Sequence, residues 1–307
     1  MILRHTVTTE EDGAALYTVL RRSLGLSATQ VKRLKRVPGG ILLDGAAVYT
    51  RHRVVSGDEI VCDLHLVEPA CDIIPENGLL SIIYEDEGLL AVNKPPGLLV
   101  HPSSSRNTGT LLNIALGHIL KDGPGGCHVV NRLDRDTSGA VLFSKNAHLK
   151  HLAIAALHQE AAKKEYLALV LGAPADQEGV IDLPIRRVGE RDLRRVVAPD
   201  GDRAVTHYRT LGIGRLGDAV VSAVAFRLLT GRTHQIRVHC LEMGFPILGD
   251  ILYHTPESRI CSEALGLEAQ QLHCRRLSFS HPMTRTPLTI EAPVERPDLS
   301  AALKALL

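Results

Sequence analysis

The chain has 307 residues, of which 45% are hydrophobic and 22% charged, with 35 basic against 34 acidic side chains for a formal charge of +1. That balance excludes a disordered or fibrous chain, and a chain of this length buries about 75% of its unfolded surface without help from disulfides or metal. No uninterrupted apolar run is long enough to span a bilayer, and the first ten residues lack the basic-then-apolar order of an export signal, so a cytoplasmic protein of one large or two ordinary domains is expected.

Charge is concentrated near the N-terminus. Between Arg21 and Arg53 stand Arg21, Arg22, Lys32, Arg33, Lys35, Arg36, Arg51 and Arg53, against the single acid Asp44. Asp12 to Leu24 carries Leu16, Val19, Leu20 and Leu24 at helical spacing and ends near Gly25. Ser27-Ala-Thr-Gln30 reads as a capping box opening a short helix that buries Val31 and Leu34 and turns Lys32, Arg33, Lys35 and Arg36 outward. Pro38-Gly39-Gly40 stops it. Ile41 to Leu43 followed by Asp44-Gly45 predicts a tight hairpin, and a turn at Ser56-Gly57-Asp58 precedes a strand from Glu59 to Leu64.

A solvated helix face usually mixes Glu with its Lys, and this one does not, which favours a nucleic-acid contact. Two small helices, a basic surface and a tight hairpin in this window resemble the RNA-binding module named for the fourth small-subunit ribosomal protein. Residues 1–67 are therefore expected to form an RNA-binding module and 68–78, with Pro69 and Pro75, a linker.

From Leu79 on, short apolar runs alternate with turns. Leu80 to Tyr84, Leu89 to Val92, Ala140 to Phe143, Tyr166 to Leu171 and Ala219 to Leu229 read as strands, and Pro95-Pro96-Gly97 as a turn. Asn146 caps a helix carrying Leu149, Leu152, Ala153, Ala156 and Leu157, and Thr233 to Met243 reads as a helix closed by Gly244. With no sustained strand–helix–strand alternation, residues 79–307 are expected to form an α+β domain on a mixed, mostly antiparallel sheet. The six cysteines include no Cys-x-x-Cys pair and read as thiols rather than as disulfides or a zinc site.

Two polar clusters stand out. The first is Asn131-Arg-Leu-Asp-Arg-Asp-Thr-Ser-Gly139, with Asp134 between Arg132 and Arg135. A carboxylate beside guanidinium groups keeps its charge, which suits a nucleophile and not a general acid, although a salt-bridged structural turn would read the same. Asp136 is expected to bond backbone amides of the turn. The second is Thr230-Gly-Arg-Thr-His-Gln-Ile-Arg-Val-His239, which sets Arg237 near a helix N-terminus, where it can meet a carboxylate or phosphate. His234 and His239 do not share a face, and His148 and His151 share one without a third ligand, so no metal is expected.

These clusters occur in order with Leu-Leu-Ala-Val-Asn-Lys-Pro-Pro-Gly-Leu-Leu-Val-His-Pro (89–102), Lys-Lys-Glu-Tyr-Leu-Ala-Leu-Val (163–170) and Gly-Phe-Pro-Ile-Leu-Gly-Asp (244–250). Together they resemble the RluA-type RNA pseudouridine synthases, whose longer members, of the RluD-like form, carry such an N-terminal module. The resemblance spans nearly the whole chain. It departs at Asn131, where members usually have His.

The resemblance implies isomerisation of uridine within ribosomal or transfer RNA to pseudouridine, on a sheet with its cleft along the middle. Asp134 would be the catalytic aspartate, Arg237 its basic partner and Tyr166 the aromatic against the target base. Arg132, with Asn131 before it, would contact the substrate where the flipped nucleotide has left its stack, and Lys32, Arg33, Lys35 and Arg36 would grip RNA. Arg and Tyr supply planar surfaces for an extruded base, and no second carboxylate is required because no water is activated. No cofactor or membrane has a role, and a monomer acting on RNA is expected. Two rival readings are a non-catalytic RNA-binding or ribosome-assembly protein on the same fold and a glycosidic-bond hydrolase using Asp134 and Asp136. The first would be signalled by loss of Asp134, Tyr166 or Arg237, all of which are present. The second would need two residues of one turn to face a substrate from opposite sides.

Overall fold

The computed structural model describes residues 1–67, 72–103, 106–123, 125–190 and 192–307. The first 67 residues form a small layer of their own. Strand β1 (Ile2–Thr6), helix α1 (Leu16–Arg22), helix α2 (Ala28–Leu34), strand β2 (Ile41–Leu43) and strand β3 (Glu59–Asp63) make up this layer, the strands forming a sheet ordered β1-β3-β2. Ser27 caps α2 as expected, its hydroxyl accepting from the Gln30 amide while the Gln30 side chain accepts from the Ser27 amide. The helix before it is shorter than its periodicity suggests. Gly13 turns the chain at φ +71°, and the amides of Leu16 and Tyr17 are met by the carbonyls of His52 and Thr50, so α1 starts only at Leu16. Asp44-Gly45 makes the tight turn with both residues at positive φ. It closes only the Leu43–Ala46 bridge, and the lasting partner of β2 is β3.

Of the expected linker, residues 68–71 lie outside the described residues, which also excludes Cys71. The rest is anchored: the Glu76 carboxylate accepts from the Gly109 amide at 2.9 Å, and the Asn113 side chain donates to the Ile74 carbonyl at 2.8 Å.

The remaining chain builds one ten-stranded sheet. Its elements are β4 (Ile82–Glu85), β5 (Leu89–Lys94), α3 (Leu111–Ile119), β6 (His128–Val129), β7 (Ser138–Ser144), α4 (Ala147–Leu157), β8 (Lys163–Leu171) and β9 (Glu178–Asp182). A two-stranded outwork, β10 (Ile185–Arg187) and β11 (Arg195–Val197), follows. The chain ends with β12 (Val205–Leu216), β13 (Ala219–Leu228), α5 (Gln235–Glu242), α6 (Pro256–Ala264), β14 (Leu272–Ser280), β15 (Pro287–Glu291) and α7 (Pro297–Leu306). The strand path is β4-β5-β7-β14-β8-β13-β12-β9, antiparallel at every step except β7–β14, with β6 and β15 off it. This is the mixed, mostly antiparallel α+β architecture expected from the sequence.

Alternation along the strands sends side chains to two cores. On the front, Ala140 and Leu142 of β7, Tyr166 and Ala168 of β8 and Phe226 of β13 pack with α4 and with Ile236 and Cys240 of α5. On the back, Val141 and Phe143 meet α3 at one end, and Leu167, Leu169 and Ala223 meet α7 at the other. The parallel junction β7–β14 is only two residue pairs long, His273 with Ser138 and Cys274 with Gly139. Its closeness requires glycine: Gly139 sits at φ +112°, and a Cβ there would lie 2.2 Å from the Cys274 carbonyl oxygen.

The N-terminal layer rests on α4. Leu149, fully buried, belongs to the same core as Leu16, Leu20, Val31 and Leu34, and Leu152 packs beside it. Among the described residues no disulfide forms and no helix is long and apolar enough to cross a membrane.

Candidate active site

Residues 131–137 run into β7 at the sheet's short parallel junction, and local bonds fix their course. The Asn131 side chain donates to the Ala140 carbonyl at 3.1 Å and accepts from the Leu142 amide at 2.7 Å. Both ends of its amide are thus spent on the β7 backbone, so Asn131 shapes the loop. The Thr137 amide donates to the Asp134 carbonyl, and Gln270 donates to the Thr137 hydroxyl at 2.9 Å. Asp136 departs from expectation. Its carboxylate takes the Arg135 guanidinium at 3.0 Å from both Nε and Nη2, where backbone amides were expected, because the turn directs it sideways to its neighbour.

A buried lysine supports the same loop from below. Lys94 is fully buried, and its Nζ donates to the carbonyls of Arg135 at 2.6 Å, Pro95 at 2.7 Å and Leu98 at 3.0 Å. Burial pulls its pKa down to about 7 while the carboxylates of Asp136 and Asp134 pull the other way. The three carbonyls match the three N–H groups of the charged form. Lys94 therefore ties the turn after β5 to the residue next to Asp134.

Arg237 approaches from α5. His234 caps that helix in the left-handed conformation, φ +59°, and Arg237 follows in the first turn with its side chain 4% exposed. Asp250, with a fully buried side chain, receives Arg237 Nε at 2.6 Å and Nη2 at 2.8 Å. That two-pronged grip leaves Nη1, which donates to Asp134 Oδ2 at 2.9 Å. Burial works against the Arg237 charge, but the carboxylates of Asp250 and Asp134 outweigh it and raise the pKa further. The three charges sum to −1, so Arg237 orients Asp134 while Asp250 compensates the guanidinium.

Asp250 is fixed in turn. Gly249 precedes it at φ +74°, where a Cβ would lie 2.2 Å from the Ala269 carbonyl oxygen, and Asp250 Oδ1 also accepts the amides of Leu252 and Tyr253. The Tyr253 ring lies 4.9 Å from the Arg237 guanidinium, and its hydroxyl meets His234 Nδ1 at 2.8 Å and the Arg195 amide at 2.7 Å. His234 Nε2 stands 3.8 Å from Asp134 Oδ2; burial lowers the His234 pKa against the pull of that carboxylate, which favours the neutral ring.

A small cleft of about 70 Å³ opens over this group, lined by Arg132, Asp134, Tyr166, His234, Arg237 and neighbours. Tyr166 reaches it from β8; burial, then the adjacent Cys274, raise its pKa, so its hydroxyl stays protonated. Arg132 is exposed at the rim. Asp134, Tyr166, Arg237 and Arg132 thus meet in one cleft, whereas Lys32, Arg33, Lys35 and Arg36 stand exposed along α2 and just past its end, in the N-terminal layer. Sequence reasoning missed Asp250, Lys94, Tyr253 and His234 as parts of the site. The signals were the Asp closing the 244–250 motif and the Lys inside the 89–102 motif. Among the described residues no cluster of three or more His, Cys, Asp or Glu is arranged to hold a metal ion.

Comparison with known proteins covers most of the chain. A family model described as RNA pseudouridylate synthase matches residues 88–242. An uncharacterized RNA pseudouridine synthase of Bacillus subtilis, YhcT, is 34% identical over 289 residues, covering 94% of this chain and 92% of its own. A ribosomal large subunit pseudouridine synthase D of Xanthomonas campestris is 34% identical, covering 87% of this chain and 81% of its own. Among solved structures, human RNA pseudouridylate synthase domain containing 1 superposes with a TM-score of 0.60 at 26% identity, covering 74% of this chain and 89% of that one.

Proposed function

The chain belongs to the RNA pseudouridylate synthase family, and from that we propose that it isomerises uridine in ribosomal or transfer RNA, with Asp134 as the group that acts on the glycosidic bond. The observation that carries this reading is the 2.9 Å contact of Asp134 with Arg237 in a cleft shared with Tyr166. In the reaction the bond from ribose C1′ to uracil N1 breaks, C1′ joins uracil C5, and the proton of C5 is replaced by one on N1. Charge develops at C1′ as the base leaves, and a carboxylate held at a set angle is placed to meet it, by attack or by electrostatic stabilisation. Nothing is hydrolysed, so the site needs to hold the loose uracil and to keep water out. Tyr166 supplies a face for the base, and Arg132 at the rim suits the space that an extruded nucleotide leaves.

Ribosomal RNA is favoured because relatives named for the large ribosomal subunit match most of this chain. Residues 1–67 would grip that RNA: Lys32, Arg33, Lys35 and Arg36 point into solvent from α2 and its C-terminal end while Val31 and Leu34 hold its inner face. Pseudouridine mapping across total RNA, from cells with and without this protein, tests the reading. Sites that vanish with the protein in ribosomal or transfer RNA support it; an unchanged map rejects it.

A further inference from the structure

A groove larger than this cleft opens elsewhere on the sheet, with Tyr166 common to both linings. It has a volume of about 670 Å³ and lies on the back of the sheet, where α7 stops short of covering β8, β12, β13 and β9. Antiparallel register sets one row of residues across it: Arg276 of β14 opposite Glu165 of β8, Glu165 opposite Arg227 of β13, and Arg227 opposite His207 of β12. Two residues along β12, Arg209 projects onto the same face. A bulge in β14 between Cys274 and Arg276 inserts Arg275, so that a second guanidinium reaches the groove beside Arg276.

These arginines are not equivalent. Arg276 is paired, to Glu165 at 3.2 Å and to Glu291. Among the described residues Arg209, Arg227 and Arg275 form no ion pair, and Arg227 Nε is buried without a hydrogen-bond partner. A buried N–H left unmatched is costly, and three guanidiniums outside any ion pair, with Glu178 opposite Arg209 and Glu165 opposite Arg227 as their carboxylate neighbours, leave an excess of positive potential in one concavity. Glu178 is the other carboxylate in the lining, so the groove carries a net positive charge.

We propose that this groove is a second RNA contact that takes backbone phosphates of the strand beyond the target uridine, reached around the β9 edge of the sheet. The proposal rests on RNA being the substrate. Guanidiniums match phosphate oxygens in pairs, and the ligand that a chain acting on RNA meets in repeated, closely spaced phosphates is the same strand. Arg209, Arg227 and Arg275 position that strand and take no part in the chemistry.

The test is binding of the full chain to poly(U) and to a short oligouridylate confined to the front cleft, over a series of salt concentrations. The variant Arg209→Gln/Arg275→Gln changes two exposed positions, and its melting temperature checks that it is folded. The slope of log affinity against log salt on poly(U) should flatten by about 0.7 for each phosphate that is no longer neutralised, hence about 1.4 for the pair. Binding of the short oligouridylate and the saturated rate of pseudouridine formation should be unchanged. An unaltered poly(U) slope in the folded variant overturns the proposal. So does an equal weakening on both ligands, which would place the effect at the front cleft, and so does competition at the groove by polyglutamate but not by poly(U), which would make the partner an acidic protein. If the wild-type chain forms no pseudouridine in any RNA yet the slope changes as expected, the groove stands and the enzymatic reading falls.

Discussion

Asp250 holds the guanidinium of Arg237 by Nε and Nη2, at 2.6 and 2.8 Å, and so reserves Nη1 for Asp134 at 2.9 Å. The outer pair faces the cleft proposed to hold the target uridine, and the inner pair sets its angle. This arrangement makes Arg237 hard to replace. Lysine offers one compact ammonium where a planar fork serves two carboxylates at once. Arg237→Met should lower turnover on the order of a hundredfold or more, and Arg237→Lys should recover little of it.

Asp250→Asn separates positioning from chemistry. It keeps the shape of the side chain but leaves a buried guanidinium short of one negative charge, a change that costs about 3–5 kcal/mol when a buried pair is broken. A lowered melting temperature together with a lower kcat is expected, with RNA affinity retained. Unchanged stability would show that the buried pair contributes nothing to the fold.

Lys94 predicts a pH signature. In the fold its pKa is lowered to about 7, against 10.5 ordinarily, so unfolding takes up a proton between those values. Stability should therefore rise as pH increases through that window. Lys94→Met should abolish this rise and, by releasing the Arg135 carbonyl, reduce turnover as well. Parallel pH–stability curves for the two proteins would contradict the assignment.

His148 makes its own prediction, on the acid side, at the seam between the N-terminal layer and α4. It is buried beside Gly25 and bonded to the Leu24 backbone, and burial, with His151 nearby, pushes its pKa down to about 4. The unfolded ring protonates near 6.5, so stability should fall as pH drops from there toward 4, by up to ~3 kcal/mol. His148→Gln should flatten that fall, read from melting temperatures at about pH 7 and about pH 5.

Along α2, replacing Lys32, Arg33, Lys35 and Arg36 together by Ala should weaken RNA binding and flatten its salt dependence. The rate on saturating RNA should survive, because Asp134, Tyr166 and Arg237 lie in the cleft of the ten-stranded sheet and not in the N-terminal layer. Unchanged affinity and salt slope would remove the N-terminal layer from RNA binding.

Features set by a few neighbouring residues were legible in the sequence. The Ser27–Gln30 box and the Asn146 cap depend on three-residue spacings, and both form as expected. The break between Asp12 and Leu16 was not, because apolar spacing carries no information about the distant carbonyls of Thr50 and His52 that receive α1. Strand β1 was missed since Ile2 to Thr6 pairs only at one edge of a three-stranded sheet. In the cleft, Asp134 and Arg237 stand 103 residues apart, and their meeting was expected from family resemblance rather than from spacing. Lys94 was hidden for a different reason. Lysine is almost never fully buried, and what makes it possible here is three carbonyls, two from the turn after β5 and one from Arg135, 41 residues away.

The most direct test of the account is tritium release from RNA labelled at uracil C5, compared between the wild-type chain and Asp134→Asn at RNA concentrations that saturate both. Forming the C1′–C5 bond expels the label, so release counts turnovers. Wild-type protein should release it and Asp134→Asn should release none while binding the same RNA as tightly. Substantial release by the folded Asp134→Asn variant would contradict the central role given to this carboxylate.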